Sequence, residues 1–241
     1  MTNYTITYNG TTARAHGLLV EHRPEIPSAT AKTEKISIPA RDGALHIADG
    51  TVNDVDISVD FAFVDVARDQ WQETYRDAME WLYSSGNGRL ILSDDPAWYY
   101  QVVDVEVGSN VEYAHQNGGR FTAVFTVRGF AYAVSGDTPG TPGTEGEFPN
   151  QYDLCKPTYI LTGDGYTTLT VNDKEMTINV SDEVVVDTDL MLARQGNFSR
   201  NTLVSGDYKD LWLNHGQNIV EATTVSGSVT LSIIPRWRRR L

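Results

Sequence analysis

The chain has 241 residues and a formal net charge of −13 at pH 7, with an isoelectric point near 4.7. Because so many carboxylates repel phosphate, a general nucleic-acid binder and a protein bound to an acidic membrane surface are both disfavoured. The length is enough for one large β domain or for two ordinary domains, each with a core of its own.

The sequence also argues against membrane insertion, secretion and disulfide bonding. It has no apolar run of about 18 residues that could span a membrane. Its opening residues lack the basic and apolar regions of a signal peptide. The single cysteine, Cys155, cannot form a disulfide within the chain. We therefore expect a soluble protein, free of disulfides and made in the cytoplasm.

In the first half of the chain, the patterns predict strands grouped around one helix. Asn9-Gly10 lies between two short segments and is a strong signal for a hairpin. A second turn is predicted at 39–43. Apolar and polar residues alternate from Val55 to Phe63, which predicts a strand with one buried face. Other strands are predicted at 4–8, 11–14, 18–20, 99–107 and 120–132, and a further turn at 117–119.

A helix is predicted over residues 69–85, because the apolar period there changes from two to that of a helix. Asp69 followed by Gln72 resembles a capping box, and glycines follow the last turn. We expect the apolar stripe to be core, with Trp81 off the stripe and partly exposed. The alternative is an aromatic binding groove built from Trp71, Tyr75 and Trp81. The stripe consists of Trp71, Tyr75, Ala78, Met79 and Leu82.

Residues 135–150 differ in composition from the rest of the chain. They include four glycines and three prolines and show no periodic apolar residues. Such a segment is typical of a linker. We therefore predict separate domains at 1–134 and 151–241.

Beyond this segment, short strands recur at regular intervals, which is typical of a β-sandwich or jelly roll. Turns are predicted at Gly163-Asp164-Gly165 and at Ser226-Gly227. The predicted strands are 158–161, 167–171, 174–180, 183–186, 191–193, 211–213, 218–222 and 229–234.

A screen for chemistry identifies no catalytic, cofactor or metal site. The chain has no GxSxG, P-loop, HExxH or CxxC pattern, and its five histidines are scattered. Acidic pairs at 94–95, 182–183 and 187–189 lie at predicted strand ends, where Asp is favoured in turns. None has the ligand spacing of an EF-hand. The basic cluster at 236–240 is either the solvated end of a strand or an interface for an acidic neighbour.

Several loose motifs follow one another in a fixed order along nearly the whole chain. They are Tyr8-Asn9-Gly10, 17–20, 36–43, 56–63, Trp71 to Leu82, Phe125 to Tyr132, 157–160, 185–187, 213–219 and 235–237. In this order they resemble the distal tail protein (Dit) family of long-tailed, non-contractile bacteriophages. The sequence departs from the family at Ala40, where the turn often carries glycine.

The resemblance implies a mainly β fold, with an N-terminal β-barrel-like domain that carries one α-helix and a C-terminal galectin-like β-sandwich (jelly roll). It implies a structural protein, not an enzyme, that forms a homohexameric ring. Such a ring is the hub at the distal end of the tail and joins the tail tube protein to the tail-tip protein and the host-adsorption apparatus, including receptor-binding proteins.

The same resemblance implies that DNA passes through the ring without specific binding. The protein would be made in the host cytoplasm and reside in the virion at the distal tail tip, with no cofactor, no metal and no membrane partner. The candidate interface residues are Arg41, Asp42, Gly43, Arg236 and Arg238.

Two other functions remain open at this point. One is a carbohydrate-binding module that attaches to host-surface glycans. We do not find the sugar-binding set of galectins, and the nearest aromatic residue, Trp212, suits a strand core. The other is a jelly-roll enzyme that degrades glycans, which needs two carboxylates ~5–9.5 Å apart beside a cleft.

Overall fold

The structure is a computed structural model that describes residues 4–40, 42–64, 66–67, 69–108, 112–113 and 118–241. Contacts between Cα atoms divide the described chain into two compact units. The first holds the residues up to Ala131 together with Arg240–Leu241, and the second holds Tyr132–Arg239. Each unit has its own cluster of buried apolar side chains.

The main sheet of the first unit has the strand order β2-β1-β7-β8-β10-β6-β3, and β9 also pairs with β10. Strands β4 and β5 form a separate two-stranded sheet. The elements are β1 (Ile6–Tyr8), β2 (Thr11–Thr12), a 3-10 helix (Ala13–His16), β3 (Leu18–Val20), β4 (Ala31–Ser37), β5 (Ala44–Val52), β6 (Val55–Val64), α1 (Trp71–Leu82), β7 (Arg89–Leu92), β8 (Trp98–Val107), β9 (Glu112–Tyr113) and β10 (Gly118–Ala133).

The core of the first unit is built on the antiparallel pair β6 and β10. Phe61 lies opposite Phe121, and Ile57 lies opposite Phe125. All four side chains are buried. The alternating pattern of residues 55–63 therefore predicted both the strand and its buried face correctly.

Helix α1 covers part of this core and buries Ala78, Trp81 and Leu82. The expectation that Trp81 would be partly exposed was wrong. Its indole N–H donates a hydrogen bond to the Tyr8 carbonyl at 3.1 Å, and its ring stacks on His16. The first hairpin therefore covers a helix face that the periodicity assigned to solvent.

The helix is shorter than the predicted 69–85. Its N-cap residue is Gln70, which makes no side-chain capping bond, so the expected capping box does not define its start. After Leu82 the chain is held by Asn9, whose side-chain amide donates to the Ser84 carbonyl at 3.0 Å. The same side chain accepts from the Gly88 N–H at 2.8 Å. These bonds fix the segment that follows α1 in a non-helical path.

The aromatic residues at the start of α1 pack on the sheet. Trp71 stacks on Tyr75 with ring centroids 5.6 Å apart, and both rings contact Phe63 edge-on. They are partners of the core, which does not support the alternative of an aromatic binding groove.

The second unit is a curled sheet in the order β15-β14-β13-β11-β12-β16, with β17 also paired to β11. Its core includes the fully buried Tyr159, Leu161 and Leu169. The elements are 3-10 helices at Val134–Asp137, Asn201–Leu203 and Tyr208–Leu211, and the strands β11 (Thr158–Val171), β12 (Lys174–Val180), β13 (Glu183–Asp187), β14 (Leu192–Gln195), β15 (Phe198–Ser199), β16 (Val204–Ser205) and β17 (Val220–Ile234). The last strand, β18 (Arg238–Arg240), pairs with β10 and so belongs to the main sheet.

The turns expected at 163–165 and 226–227 were wrong, because β11 and β17 each run through these positions as one strand. These glycines instead allow β11 and β17 to approach each other closely. A Cβ on Gly163 would collide with the Ser228 carbonyl, and one on Gly227 would collide with the Asp164 carbonyl. The two strands thus pair at a spacing that side chains would prevent.

The segment 135–150, expected to be a linker, lies against the second unit. Gly140 and Ile233 exchange two main-chain hydrogen bonds of 2.8 Å, and Asn150 and Gly216 do the same. Phe148 is buried and stacks on Trp237. This segment is held mainly by main-chain hydrogen bonds, which leave no apolar periodicity in the sequence. The pattern of apolar residues therefore could not predict that the segment packs on the second unit. That the two units fold independently stays a prediction.

The mainly β fold class is confirmed, with a helix-bearing first half and an all-strand second half apart from short 3-10 turns in the described residues. The likeness of the second unit to galectins stays a prediction. In the described part of the chain, no helix combines the length and apolar character needed to cross a membrane.

We predict that Leu82→Ala lowers the free energy of unfolding of the first unit by ~2–5 kcal/mol, because it leaves a cavity at a fully buried position. Glu80→Ala, on the exposed face of the same helix, is the matched control and should change stability by less than about 0.5 kcal/mol. Urea unfolding followed by circular dichroism measures both. Equal midpoints for the two variants would show that the buried face is misassigned.

Candidate assembly surface

The hairpin formed by β4 and β5 stands apart from both cores. Its strands are antiparallel, with Ile36 opposite Leu45 and Lys35 opposite His46. Within the described residues it pairs with no other strand. Every residue of β4 is exposed. A two-stranded sheet without packing is marginally stable in water, so burial against another surface would stabilise this hairpin.

The two faces of the hairpin differ in polarity, because side chains alternate along each strand and paired residues share a face. One face carries Lys35, Ser37 and His46. The other carries Glu34, opposite Ile47, and large aliphatic side chains that stay exposed in the single chain. These are Ile36 (37% exposed), Ile38 (38%), Leu45 (37%) and Ile47 (46%).

Four large aliphatic side chains exposed on one face are typical of an interaction surface. Full burial of a large aliphatic side chain stabilises by ~1.5–3 kcal/mol. Since these four side chains are partly covered already, a partner would gain about 1 kcal/mol from each. We call the face formed by Ile36, Ile38, Leu45 and Ile47 the apolar hairpin face.

Two of the sequence-predicted interface residues, Asp42 and Gly43, lie at the tip of the hairpin. Asp42 and Gly43 are exposed there, and a Cβ on Gly43 would meet no atom within 4 Å. Arg41 lies outside the described residues. That these residues take part in an interface stays a prediction, and their position at the end of the apolar hairpin face is consistent with it.

Ala40, where the sequence departs from the family, adopts the left-handed backbone conformation with a φ of 62°. Glycine takes this conformation freely, whereas other residues pay a steric cost. The turn therefore keeps the geometry that glycine favours, at the expense of strain at Ala40.

The other two predicted interface residues have contacts within the second unit. Arg236 donates to the Asp187 carboxylate at 2.8 Å, and Asp187 also accepts from the main-chain N–H groups of Asp189 and Leu190. Arg238 is only 9% exposed and donates to the Leu154 carbonyl at 2.7 Å. These contacts give both arginines a role in holding the second unit together. Their role in an interface stays a prediction.

The outward face of the main sheet is polar and acidic. Thr122 donates to Asp60 at 2.5 Å, and Thr126 donates to Asp56 at 2.7 Å. Asp104 and Glu106 are exposed on β8. The inward residues of β6 and β10 are apolar, so their polar residues lie on the outward face together with the carboxylates of β8. The sequence predicted only that polar residues alternate along 55–63.

In the first of the acidic pairs noted in the sequence, Asp94 has local partners. Asp94 accepts from Arg23 at 2.5 Å and from the Tyr4 hydroxyl at 3.1 Å, and the hydrogen bond from Arg23 lowers the pKa of Asp94. Among the described residues, no cluster of three or more His, Cys, Asp or Glu side chains could hold a metal ion. Burial raises the pKa of the Cys155 thiol to about 11, so the thiol is protonated and unreactive at neutral pH.

Trp212, the aromatic residue considered for sugar stacking, is half-buried. The expectation that it would lie in a strand core was wrong. The flanking Leu211 and Leu213 fill the core instead. The indole N–H donates to the Thr188 carbonyl at 3.4 Å, and the Lys156 ammonium lies 5.2 Å from the ring centroid. The Lys156 ammonium therefore lies over one face of the ring.

We predict that Ala40→Gly stabilises the hairpin by roughly 0.5–1 kcal/mol, because relief of the left-handed strain exceeds the entropy that glycine loses. Hydrogen exchange at the Ser37 and Ala44 amides should slow accordingly. Ala44→Gly, in the strand, should accelerate the same exchange. Faster exchange in Ala40→Gly would show that the turn conformation is misassigned.

In sequence, the chain matches no protein-family model and no curated protein. In structure, it is similar to the Dit (gp 19.1) protein of phage SPP1, described as a paradigm of the hub adsorption apparatus in phages that infect Gram-positive bacteria. The TM-score is 0.66 at 13% identity, and the match covers 99% of both chains.

A second similar structure is a chain of the phage P2 baseplate in its activated conformation with Ca. Here the TM-score is 0.54 at 9% identity, with 99% of this chain and 98% of the other covered. The likeness runs through both halves, in agreement with the order of motifs in the sequence. The chain therefore has the fold of the phage distal tail (Dit) proteins.

Proposed function

We propose that the protein is a structural component of a phage tail, in which copies join through the first unit into a homohexameric ring. The ring forms the hub at the distal end of the tail, between the tail tube protein and the tail-tip protein. The whole-chain likeness to SPP1 Dit and to the P2 baseplate chain supports this role. The observation that carries it is the apolar hairpin face.

A second copy is the partner that this face fits best. If the hairpin of each copy covers a different surface on the next, the same contact repeats and closes as a ring. The charges of the hairpin favour such a contact. Residues 31–52 contain three basic and three acidic residues and are neutral, whereas the whole chain carries −13. A neutral arm can approach an acidic neighbour with less repulsion than an acidic surface would meet.

We place the acidic outward face of the main sheet toward the channel of the ring. Carboxylates such as Asp56, Asp104 and Glu106 would repel the phosphate backbone there. DNA would then slide through without specific binding, since its affinity for protein depends on basic contacts.

The second unit is assigned to contacts beyond the ring, with the tail-tip protein and with receptor-binding proteins of the adsorption apparatus. In this role the protein is not an enzyme. It is made in the host cytoplasm and resides in the virion at the distal tail tip.

We predict that the full-length protein forms six-fold rings at micromolar concentration, visible by negative-stain imaging and with the corresponding mass in light scattering. The double variant Ile36→Asp/Ile47→Asp should remain monomeric, because charges on the apolar hairpin face oppose its burial. Since both side chains are exposed in the single chain, its unfolding free energy should change by less than about 0.5 kcal/mol per site.

Val225→Asp is the matched control, because Val225 is 78% exposed but lies in the second unit. It should form rings as the wild type does. A wild type that stays monomeric, even with the tube or tip protein added, would contradict the ring. A double variant that assembles normally would contradict the part assigned to the hairpin.

The channel assignment has its own test. The triple variant Asp56→Lys/Asp104→Lys/Glu106→Lys should retard linear duplex DNA in a gel at low salt, and the retardation should vanish at high salt. Wild-type rings should leave DNA free. A variant that forms rings and still ignores DNA would show that these carboxylates face away from the channel.

A further inference from the structure

The hairpin is tied together at its base. Thr30 directly precedes β4, and Asn53 directly follows β5. The Asn53 N–H donates to the Thr30 carbonyl at 2.9 Å, and the Asn53 side-chain amide donates to the Thr30 hydroxyl at 3.0 Å. We call residues 29–30 and 52–53 the hairpin root.

Residues from a distant part of the sequence hold this root. The Ala29 N–H donates to the main-chain oxygen of Leu241 at 3.0 Å. The Ala29 carbonyl accepts two bonds from the Arg240 guanidinium, at 2.9 Å from Nε and 2.7 Å from Nη2. Both polar main-chain groups of Ala29 are therefore occupied by Arg240 and Leu241, and the bonds from the guanidinium are strengthened by its charge.

Strand β10 of the main sheet also contacts the hairpin root and the residues that hold it. The Leu241 N–H donates to the Gly129 carbonyl of β10 at 3.3 Å. A Cβ on Gly129 would collide with the Asn53 carbonyl and would press on Val52 and Ala29. The root thus needs glycine at 129 for space, and Ala29 beneath it is buried.

We propose that Arg240 and Leu241 form a clamp, seated on Ala29 and Gly129, that fixes the direction of the hairpin for its contact with the next copy. Beyond the root, the hairpin strands pair with no other strand of the described chain, so the direction of the hairpin is set at its root. The effect on assembly rests on the proposed function; the clamp itself rests on the bonds to Ala29.

The clamp has a consequence for how the first unit is completed. Arg240 and Leu241 follow the second unit in sequence but belong to the first. A fragment that ends at residue 134 therefore lacks the clamp, and its hairpin is expected to fluctuate. The full-length chain is the form in which the hairpin is held for assembly.

Hydrogen exchange with mass spectrometry of full-length Arg240→Ala tests the clamp. Exchange at the Ala29 amide and along β4 and β5 should rise about tenfold or more, since a charge-assisted bond pair to the root is lost. Exchange in α1 should stay at the wild-type rate. Gly129→Ala should produce the same local change by displacing Asn53. Arg240→Lys keeps the charge but not the forked geometry of the guanidinium. Its hairpin exchange rate should lie between those of the wild type and of Arg240→Ala.

Arg239→Ala is the control, because the Arg239 guanidinium lies over the Tyr152 ring within the second unit. It should leave hairpin exchange and ring yield unchanged, whereas Arg240→Ala should reduce ring yield. Wild-type exchange at the hairpin in Arg240→Ala would overturn the clamp. Faster exchange with an undiminished ring yield would overturn its role in assembly. If the wild type forms no rings, the proposed function fails, and the exchange rates still decide whether the clamp exists.

Discussion

The first unit depends on the pairing of β6 with β10, which places a continuous aromatic and aliphatic face on one side of the main sheet. Phe61 and Phe121 are paired across the strands and must be shielded from water. Helix α1 and the first hairpin provide that shield, with Trp81 bonded to Tyr8 where the two meet. The alternation that buries one face leaves the opposite face polar, so the same pairing also produces the acidic outward surface.

The hairpin β4–β5 is not part of this core. Its aliphatic residues stay exposed in the single chain, and its strands are anchored through the root at Ala29, Thr30 and Asn53. An element that is costly alone and fixed at its base is suited to bury its apolar face against another molecule. Under the proposed function, the core, the acidic surface and the hairpin together suit the first unit to repeated contact with its own copies.

Periodicity in the sequence predicted the elements that bury one face locally. The strand at 55–63 and the stripe containing Ala78 and Leu82 followed from spacing alone. The burial of Trp81 did not, because it is produced by Tyr8 and His16, far away in sequence. Glycines 163 and 227 were interpreted as turns, whereas they permit two long strands to approach each other.

The candidate surface was only partly accessible to sequence reasoning. The family resemblance pointed to the turn at Asp42 and Gly43, which lies at the tip of the hairpin. Alternation at Ile36, Ile38, Leu45 and Ile47 gives an apolar face, but a sequence cannot say whether that face is covered. The clamp was hidden for the same reason, since Ala29 and Arg240 are separated by 211 positions.

The central claim is that the apolar hairpin face of one copy is buried on the next copy in the ring. It can be tested by placing a photo-activated cross-linking amino acid at Ile47 and assembling an equal mixture of normal and heavy-isotope chains. After irradiation, mass spectrometry distinguishes links within a chain from links between copies. The account predicts links from residue 47 that join light to heavy chains within the first unit of the neighbour. Links confined to single chains, in samples that still form rings, would contradict it.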